Sequence, residues 1–247
     1  MPLAWPGDNM KKTKTNTEHS RAVLRQSTWF KTLPAELQDQ ILTSSAQRQY
    51  GKDEIIFRED QPAIGICAVI AGEVAISRMA GAENECLLHV GGPGMWFGEV
   101  AVLSGRDTAV TARALTEAKI LVLPPAEFER IVEQEPRYYR PLAMLALQRS
   151  QIMLRNIAGS QNLSPEQYLR LRLADLAEMW IGDSQRDTEV EVSLSQSQLA
   201  QMIGASRQTV NALLKKLESD GLIRTKFRKL VISDIDGLRG ERRRTGL

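Results

Sequence analysis

Cysteine and histidine are scarce: Cys67, Cys86, His19 and His89 are the whole set in 247 residues. Two cysteines and two histidines this scattered exclude a structural zinc site. An iron–sulfur cluster held by one chain needs about four cysteine ligands, so none is expected. Buried thiols in strands are the ordinary reading of both cysteines. A haem with a single His ligand stays open, although His89, in an alternating strand, has the setting of a packed side chain. Also missing is any apolar run approaching the ~20 residues of a membrane span, and the N-terminus lacks a signal peptide's apolar segment. No Gly-rich phosphate loop, hydrolase elbow or metal-ligand pair occurs. The expectation is a cytoplasmic protein with no membrane contact, no metal and no enzymatic activity.

What is present has the balance of an ordinary globular protein, 43% apolar and 25% charged, and the length suffices for one large domain or two modest ones. The net charge of +2 is unevenly spread. Residues 1–163 carry 18 Lys and Arg against 18 Asp and Glu, whereas residues 205–247 carry 11 against 5. A basic excess confined to one end suggests a polyanionic partner there, and a solvated tail is the alternative.

Residues 1–20 are polar and aperiodic and read as a flexible tail. Helical spacing follows, with Leu37, Ile41 and Leu42 on one side and Pro34 at a helix start. From Gln47 to Leu123, short β-branched runs ("EIIF", "ICAVIAGEVAIS", "CLLHV", "AVTARA", "KILVL") alternate with Gly, Pro, Asp and Asn. That spacing predicts an antiparallel sandwich or barrel. "PPAEFERIVEQEP" reads as a short helix, and a long helix is expected over roughly Pro141 to Ala158. On it Leu142, Leu145, Arg149, Ile152 and Asn156 follow a 3-4-3-4 spacing, flanked by Met144, Leu147, Leu154 and Ile157. Such a stripe needs a cover, either the same domain or a second copy of the chain. Residues Gly159 to Leu163 read as a hinge, with Ser164 and Pro165 as N-cap and first helical residue.

The most informative stretch is "SLSQSQLAQMIGASRQTVNALLKKLESDGLIR". Ser195 with Gln198 forms a capping box, Leu199, Met202 and Ile203 give the apolar face, and Gly204 supplies a tight turn. Ser206 caps a second helix running to about Ser219, in which Val210, Leu213, Leu214 and Leu217 face the core. Arg207, Gln208, Asn211, Ala212 and Lys215 lie opposite. This is helix-turn-helix organisation, with Arg and Gln placed to read guanine and adenine edges in the major groove. "GLIRTKFRKLVISD" adds strand, basic turn and strand, a wing whose Arg224, Lys226, Arg228 and Lys229 would reach phosphates.

From about Trp29 to Ile235 the chain resembles the CRP/FNR family of bacterial transcription regulators. "GASRQTVNALLKKLESDGLI" is similar to that family's recognition-helix segment, and "VIAGEVAIS" and "PGMWFGEVAVLSG" to its sensor strands. The resemblance implies an α+β chain with an N-terminal antiparallel β jelly roll of the cyclic-nucleotide-binding type, a long dimerisation helix and a C-terminal winged helix-turn-helix. The implied divisions are a tail over 1–20, a sensor domain over 21–136, a dimerisation helix and hinge over 137–163, and a DNA-binding domain over 164–247. The implied partners are double-stranded DNA and a second copy of the chain, with RNA polymerase as a further candidate.

The resemblance also places the site residues. Arg207 matches a base-contacting Arg, whereas Gln208 stands where Glu is usual and Ala212 where Arg is frequent, so the half-site is expected to differ from the best-known one. Ser206, Arg207, Gln208, Asn211, Lys215, Arg224, Lys226 and Arg228 are the DNA-binding candidates. In the sensor, Gly98 and Glu99 match the pair that engages a cyclic nucleotide's sugar and phosphate. Thr108 stands where nucleotide binders carry Arg, and Ala109 where they carry Ser or Thr. A buried phosphate without a charge-assisted partner is costly. The effector pocket (Gly98, Glu99, Arg106, Thr108, Ala109) is therefore expected to be degenerate, not specific for cyclic AMP, and no cofactor is assigned. On the dimer helix, Met153 and Leu154 fall near the hydroxyls that hold the base in the best-known cyclic-AMP receptor. Two alternatives stand: activation by a cyclic nucleotide held through Glu99 and a displaced Arg106, and a regulatory or scaffold protein using its β domain for protein contacts.

Overall fold

A computed structural model of the chain describes residues 17–25, 27–79, 81, 85–181, 189–192, 194–226 and 229–240. Three short helices, α1 (Thr17–Leu24), α2 (Thr28–Thr32) and α3 (Ala35–Ser44), precede the strands. The β-branched runs then fold as β1 (Ala46–Tyr50), β2 (Ile55–Phe57), β3 (Ile66–Ala71), β4 (Val74–Met79), β5 (Glu85–Gly91) and β6 (Trp96–Phe97). After α4 (Glu99–Ser104) come β7 (Thr111–Ala114) and β8 (Ala118–Leu123). They pair antiparallel in two sheets, ordered β1-β8-β3-β6 and β2-β7-β4-β5, the jelly-roll sandwich expected from the sequence.

Side chains alternate faces along a strand, so the unbroken run of β3 serves two cores. Cys67 and Val69 point between the sheets with Val74, Ile76, Phe97 and Ile120. Ile66, Ala68 and Ile70 point outward, beneath Phe30, Leu37, Phe128 and Leu142 of the surrounding helices. There Trp96 stacks on Phe30 and meets the Trp29 ring edge-on, at centroid distances of 5.4 and 5.0 Å. The Trp29 indole N–H donates to the Pro141 carbonyl at 2.8 Å, fixing the start of the long helix.

That helix follows α5 (Pro125–Gln134) and a 3₁₀ turn (Pro136–Tyr138); it is α6 (Tyr139–Asn162). Then come α7 (Pro165–Ile181), β9 (Val190–Val192), α8 (Gln196–Ile203), α9 (Arg207–Ser219), β10 (Ile223–Lys226), β11 (Lys229–Ile232) and α10 (Ile235–Arg239). The last three strands form a sheet in the order β10-β11-β9. The core of this region, with Leu169, Leu173, Leu199 and Val210, is continuous with Ala75, Leu87 and Val90 of β4 and β5. The helix-turn-helix is thus packed on the jelly roll of its own chain.

Two readings of α6 need correction. The expected hinge at Gly159–Leu163 is helical up to Asn162, and the break is confined to Leu163 and Ser164. Gly159 is where α7 crosses: a Cβ there would lie 2.8 Å from a Leu171 methyl and 3.1 Å from the Tyr168 ring. The glycine permits close helix approach. The expected seam of Leu142, Leu145, Arg149, Ile152 and Asn156 faces the chain's own body: Leu142 and Leu145 are buried under the sandwich, and the other three line a partly open cavity. The uncovered stripe is the flanking one. Met144, Leu147 and Leu154 are exposed, and Gln151 and Ala158 complete their 3-4 repeat.

Candidate functional site

The helix-turn-helix is built by local capping. The Ser195 hydroxyl accepts from the Gln198 N–H at 3.2 Å, and the Gln198 side-chain oxygen accepts from the Ser195 N–H at 2.9 Å. Gly204 ends α8 at φ +65°, the left-handed region where a side chain is strained. Ser206 then accepts from the Thr209 N–H at 3.0 Å to start α9. Val210, Leu214 and Leu217 go to the core, which leaves Arg207, Gln208, Ala212 and Lys215 exposed on the other side. Asn211 is half-buried, its side-chain oxygen accepting from Gln196 at 3.3 Å.

The wing is real but its cations are occupied. Arg224 pairs with Glu189, while Lys226 and Lys229 both pair with Glu191 of β9. Hydrogen bonds from Lys229 and then Lys226 lower the Glu191 carboxyl below its usual range, and Glu191 raises the Lys229 ammonium. Arg228 lies outside the described residues. Strand β9, which supplies the Glu191 carboxylate and follows directly on Glu189, is a three-residue run too short to stand out in the sequence.

The second feature is a cavity of about 470 Å³ bounded by the jelly roll, α6, α7 and α8. Gly98, Glu99, Thr108 and Ala109 line it; Arg106 does not, being exposed on the loop outside. Glu99 is 1% exposed. Its Oε1 lies 2.9 Å from the Arg149 Nε, and Arg149 also donates to the Trp96 carbonyl. The sequence reading missed Arg149 as a pocket residue, because helical spacing alone put it on the dimer seam. Thr108 is also committed: its hydroxyl is directed at the Arg58 and Gln61 carbonyls, at 2.5 and 3.1 Å. Met153 lines the cavity, whereas Leu154 points to solvent.

Backbone geometry constrains the cavity wall at Gly98. Gly98 has φ +85°, and a Cβ there would lie 2.7 Å from the Gly65 carbonyl oxygen. Gly98→Ala is expected to cost about 1–3 kcal/mol, read as a lowered Tm in thermal unfolding.

Deeper in, Asp175 is buried between Arg155 of α6 at 3.3 Å and Arg239 of α10 at 3.6 Å. Burial raises its carboxyl above the usual range, and those arginines pull it back. His89 lies on the same wall. Burial, then the positive charges of Arg149 and Arg172, hold its imidazole well below the usual 6.5. The folded chain keeps His89 neutral while the unfolded chain takes up a proton near 6.5, so its contribution to stability is lost as pH falls below that value. The loss is up to ~1.4 kcal/mol per pH unit. Denaturant unfolding at pH 7.5 and 5.5 is expected to show this fall, and His89→Gln to flatten it.

Comparison with known proteins supports both features. Residues 47–135 match the model of the cyclic nucleotide-binding domain, and residues 167–241 that of the Crp-like helix-turn-helix domain. The chain is 29% identical over 195 residues to the HTH-type transcriptional regulator Cmr of Mycobacterium tuberculosis, covering 78% of this chain and 74% of that protein. It is 25% identical to the CRP-like protein Clp of Xanthomonas campestris pv. campestris, over 88% of this chain and 96% of the other. Among solved structures, FixK2 from Bradyrhizobium japonicum superposes with a TM-score of 0.67 at 18% identity, covering 79% of this chain and 96% of that one. Among the described residues no helix is long and apolar enough to cross a membrane.

Proposed function

Because the chain belongs to the CRP/FNR family of bacterial transcription regulators, we propose that it acts in the cytoplasm as a homodimer reading a palindromic DNA site, under a control other than cyclic AMP. The single observation that carries the DNA reading is the exposed first turn of α9. Arg207 and Gln208 stand free of the core there, on a helix held by its caps and by the Lys216–Glu166 pair at 2.6 Å. The stripe of Met144, Leu147 and Leu154 is the surface a second copy would cover, which would set two recognition helices about one helical turn apart. Selection of sites from random duplexes tests this: a twofold-symmetric sequence is the expected result, and enrichment of no palindrome would refute it.

Control without cyclic AMP rests on the Arg149–Glu99 pair. The carboxylate available for a nucleotide's sugar already has a cation, Arg78 beside Ala109 is engaged with the Ala109 carbonyl at 2.9 Å and does not line the cavity, and Arg106 is outside. Calorimetric titration with cyclic AMP and cyclic GMP is expected to give no heat of binding; micromolar affinity would favour the nucleotide reading through Glu99 and a moved Arg106. The Glu189 and Glu191 carboxylates act against DNA. Glu191→Gln releases Lys226 and Lys229 for phosphates and is expected to tighten binding to any duplex by roughly threefold, a gain that disappears at high salt.

A further inference from the structure

The cavity reaches past the position of a nucleotide pocket to the DNA-binding half of the chain. Its walls are largely apolar, with Phe57, Ile76, Leu87 and Phe97 from the jelly roll, Ile152 from α6 and Leu176 from α7. At about 470 Å³ it falls within the range of small-molecule sites. The charged groups on the wall already have oppositely charged or carbonyl partners. Arg149 holds Glu99, Arg172 donates to the Leu88 carbonyl beside Asp175, and Asp175 lies between Arg155 and Arg239. An incoming anion would have to break one of these buried arrangements, a costly exchange.

Of the buried lining atoms that lack a hydrogen-bond partner among the described residues, those of Glu99, Arg149 and Asp175 belong to ion-paired groups, whereas His89 Nε2 and Asn156 Oδ1 do not. The first is one nitrogen of an imidazole kept neutral; the second is purely an acceptor. Buried polar atoms left unpaired in an apolar chamber are the signature of a missing polar group. An apolar body with one N–H or O–H would satisfy Asn156 and leave every ion pair in place.

We propose that this chamber is the effector site and takes an uncharged, largely apolar molecule with a single hydrogen-bond donor, which bears directly on the DNA-binding half through Leu176 and Met202. This deepens the reading of the chain as a DNA-binding regulator and rests on it. Met202 lies on α8, packed with Leu87 of β5 in one continuous core. A molecule that widens or fills the chamber therefore acts on the same surface that seats the helix-turn-helix. Differential affinity for two placements of that domain is what an effector requires.

The test uses the full chain and two probes with one skeleton. N-phenyl-1-naphthylamine is neutral and carries one N–H; 8-anilinonaphthalene-1-sulfonate adds a sulfonate. The neutral probe is expected to bind saturably, one per chain, with micromolar affinity, and the sulfonate about tenfold or more weaker. Asn156→Leu removes the acceptor and should weaken the neutral probe about fivefold or more. Ile152→Trp fills the chamber and should abolish probe binding while the circular dichroism stays that of the parent. Saturating neutral probe is expected to change the affinity for the selected duplex about threefold or more. Equal binding of the two probes, a non-saturable signal, indifference to both variants, or an unchanged DNA affinity would each overturn the proposal. The unliganded chain's preference for the selected duplex is measured in the same series. If that preference holds while the probe result fails, this inference falls and the DNA reading stands; if the preference is absent, the DNA reading itself falls.

Discussion

Arg207→Ala is expected to weaken binding to the selected duplex by about 30-fold or more and to relax the preference at one base position in each half-site. Arg207 is the first residue of α9, is exposed, and has its backbone set by the Ser206 cap. A guanidinium held there can donate twice to a guanine edge, and loss of one bidentate base contact costs about 1–3 kcal/mol. A dimer loses two such contacts. Lys215 provides the contrast, standing two turns further on and also exposed. Lys215→Ala should weaken all sequences alike and flatten the salt dependence, because a phosphate contact carries no base information. Fluorescence anisotropy on the selected duplex and single-base variants separates the two. Uniform weakening by Arg207→Ala would mean that Arg207 touches phosphate only.

Arg149→Met should be the most damaging single change in the sensor. It leaves Glu99, 1% exposed, without the cation at 2.9 Å, and removes a donor to the Trp96 carbonyl. Breaking one partner of a buried pair costs about 3–5 kcal/mol, because the other charge stays behind. Removing both is far milder, so Glu99→Gln combined with Arg149→Met is expected to recover at least half of the loss in urea unfolding. A double variant no better than the single one would show that the Glu99–Arg149 contact is not what holds α6 against the jelly roll. The comparison bears on function as well as on stability. Glu99 is the residue proposed to face a nucleotide's sugar, so the strength of the pair bears on whether a nucleotide would displace it.

Where a feature is fixed by neighbours in sequence, it was legible in the sequence. The Ser195–Gln198 box, the left-handed Gly204, the Ser206 cap and the Val210–Leu214–Leu217 face all act within one or two helical turns, so the helix-turn-helix stands as read. The strands were readable for the same reason, their apolar runs being bounded by turn residues. The partner of Glu99 was not. Arg149 is fifty positions away, and on α6 apolar residues occupy so much of the circumference that spacing alone does not say which side is covered. The structure resolves this through Trp29 and Phe30, which bring the Leu142 side under the sandwich and turn the Met144–Leu147 side outward. Likewise, the resemblance set Thr108 where nucleotide binders carry Arg, but its hydroxyl's bonds to the Arg58 and Gln61 carbonyls arise from a loop some fifty residues earlier. The masking of the wing by Glu189 and Glu191 and the chamber shared with α8 depend on how distant elements dock, which no local pattern encodes.

The most direct test of the central claim is one anisotropy titration: the full chain against the selected palindrome and a scrambled duplex of equal length, with and without saturating cyclic AMP. The expected result is a preference for the palindrome of about a thousandfold or more, the same in both conditions. Equal affinity for the two duplexes, or a preference that emerges only when cyclic AMP is added, would contradict it.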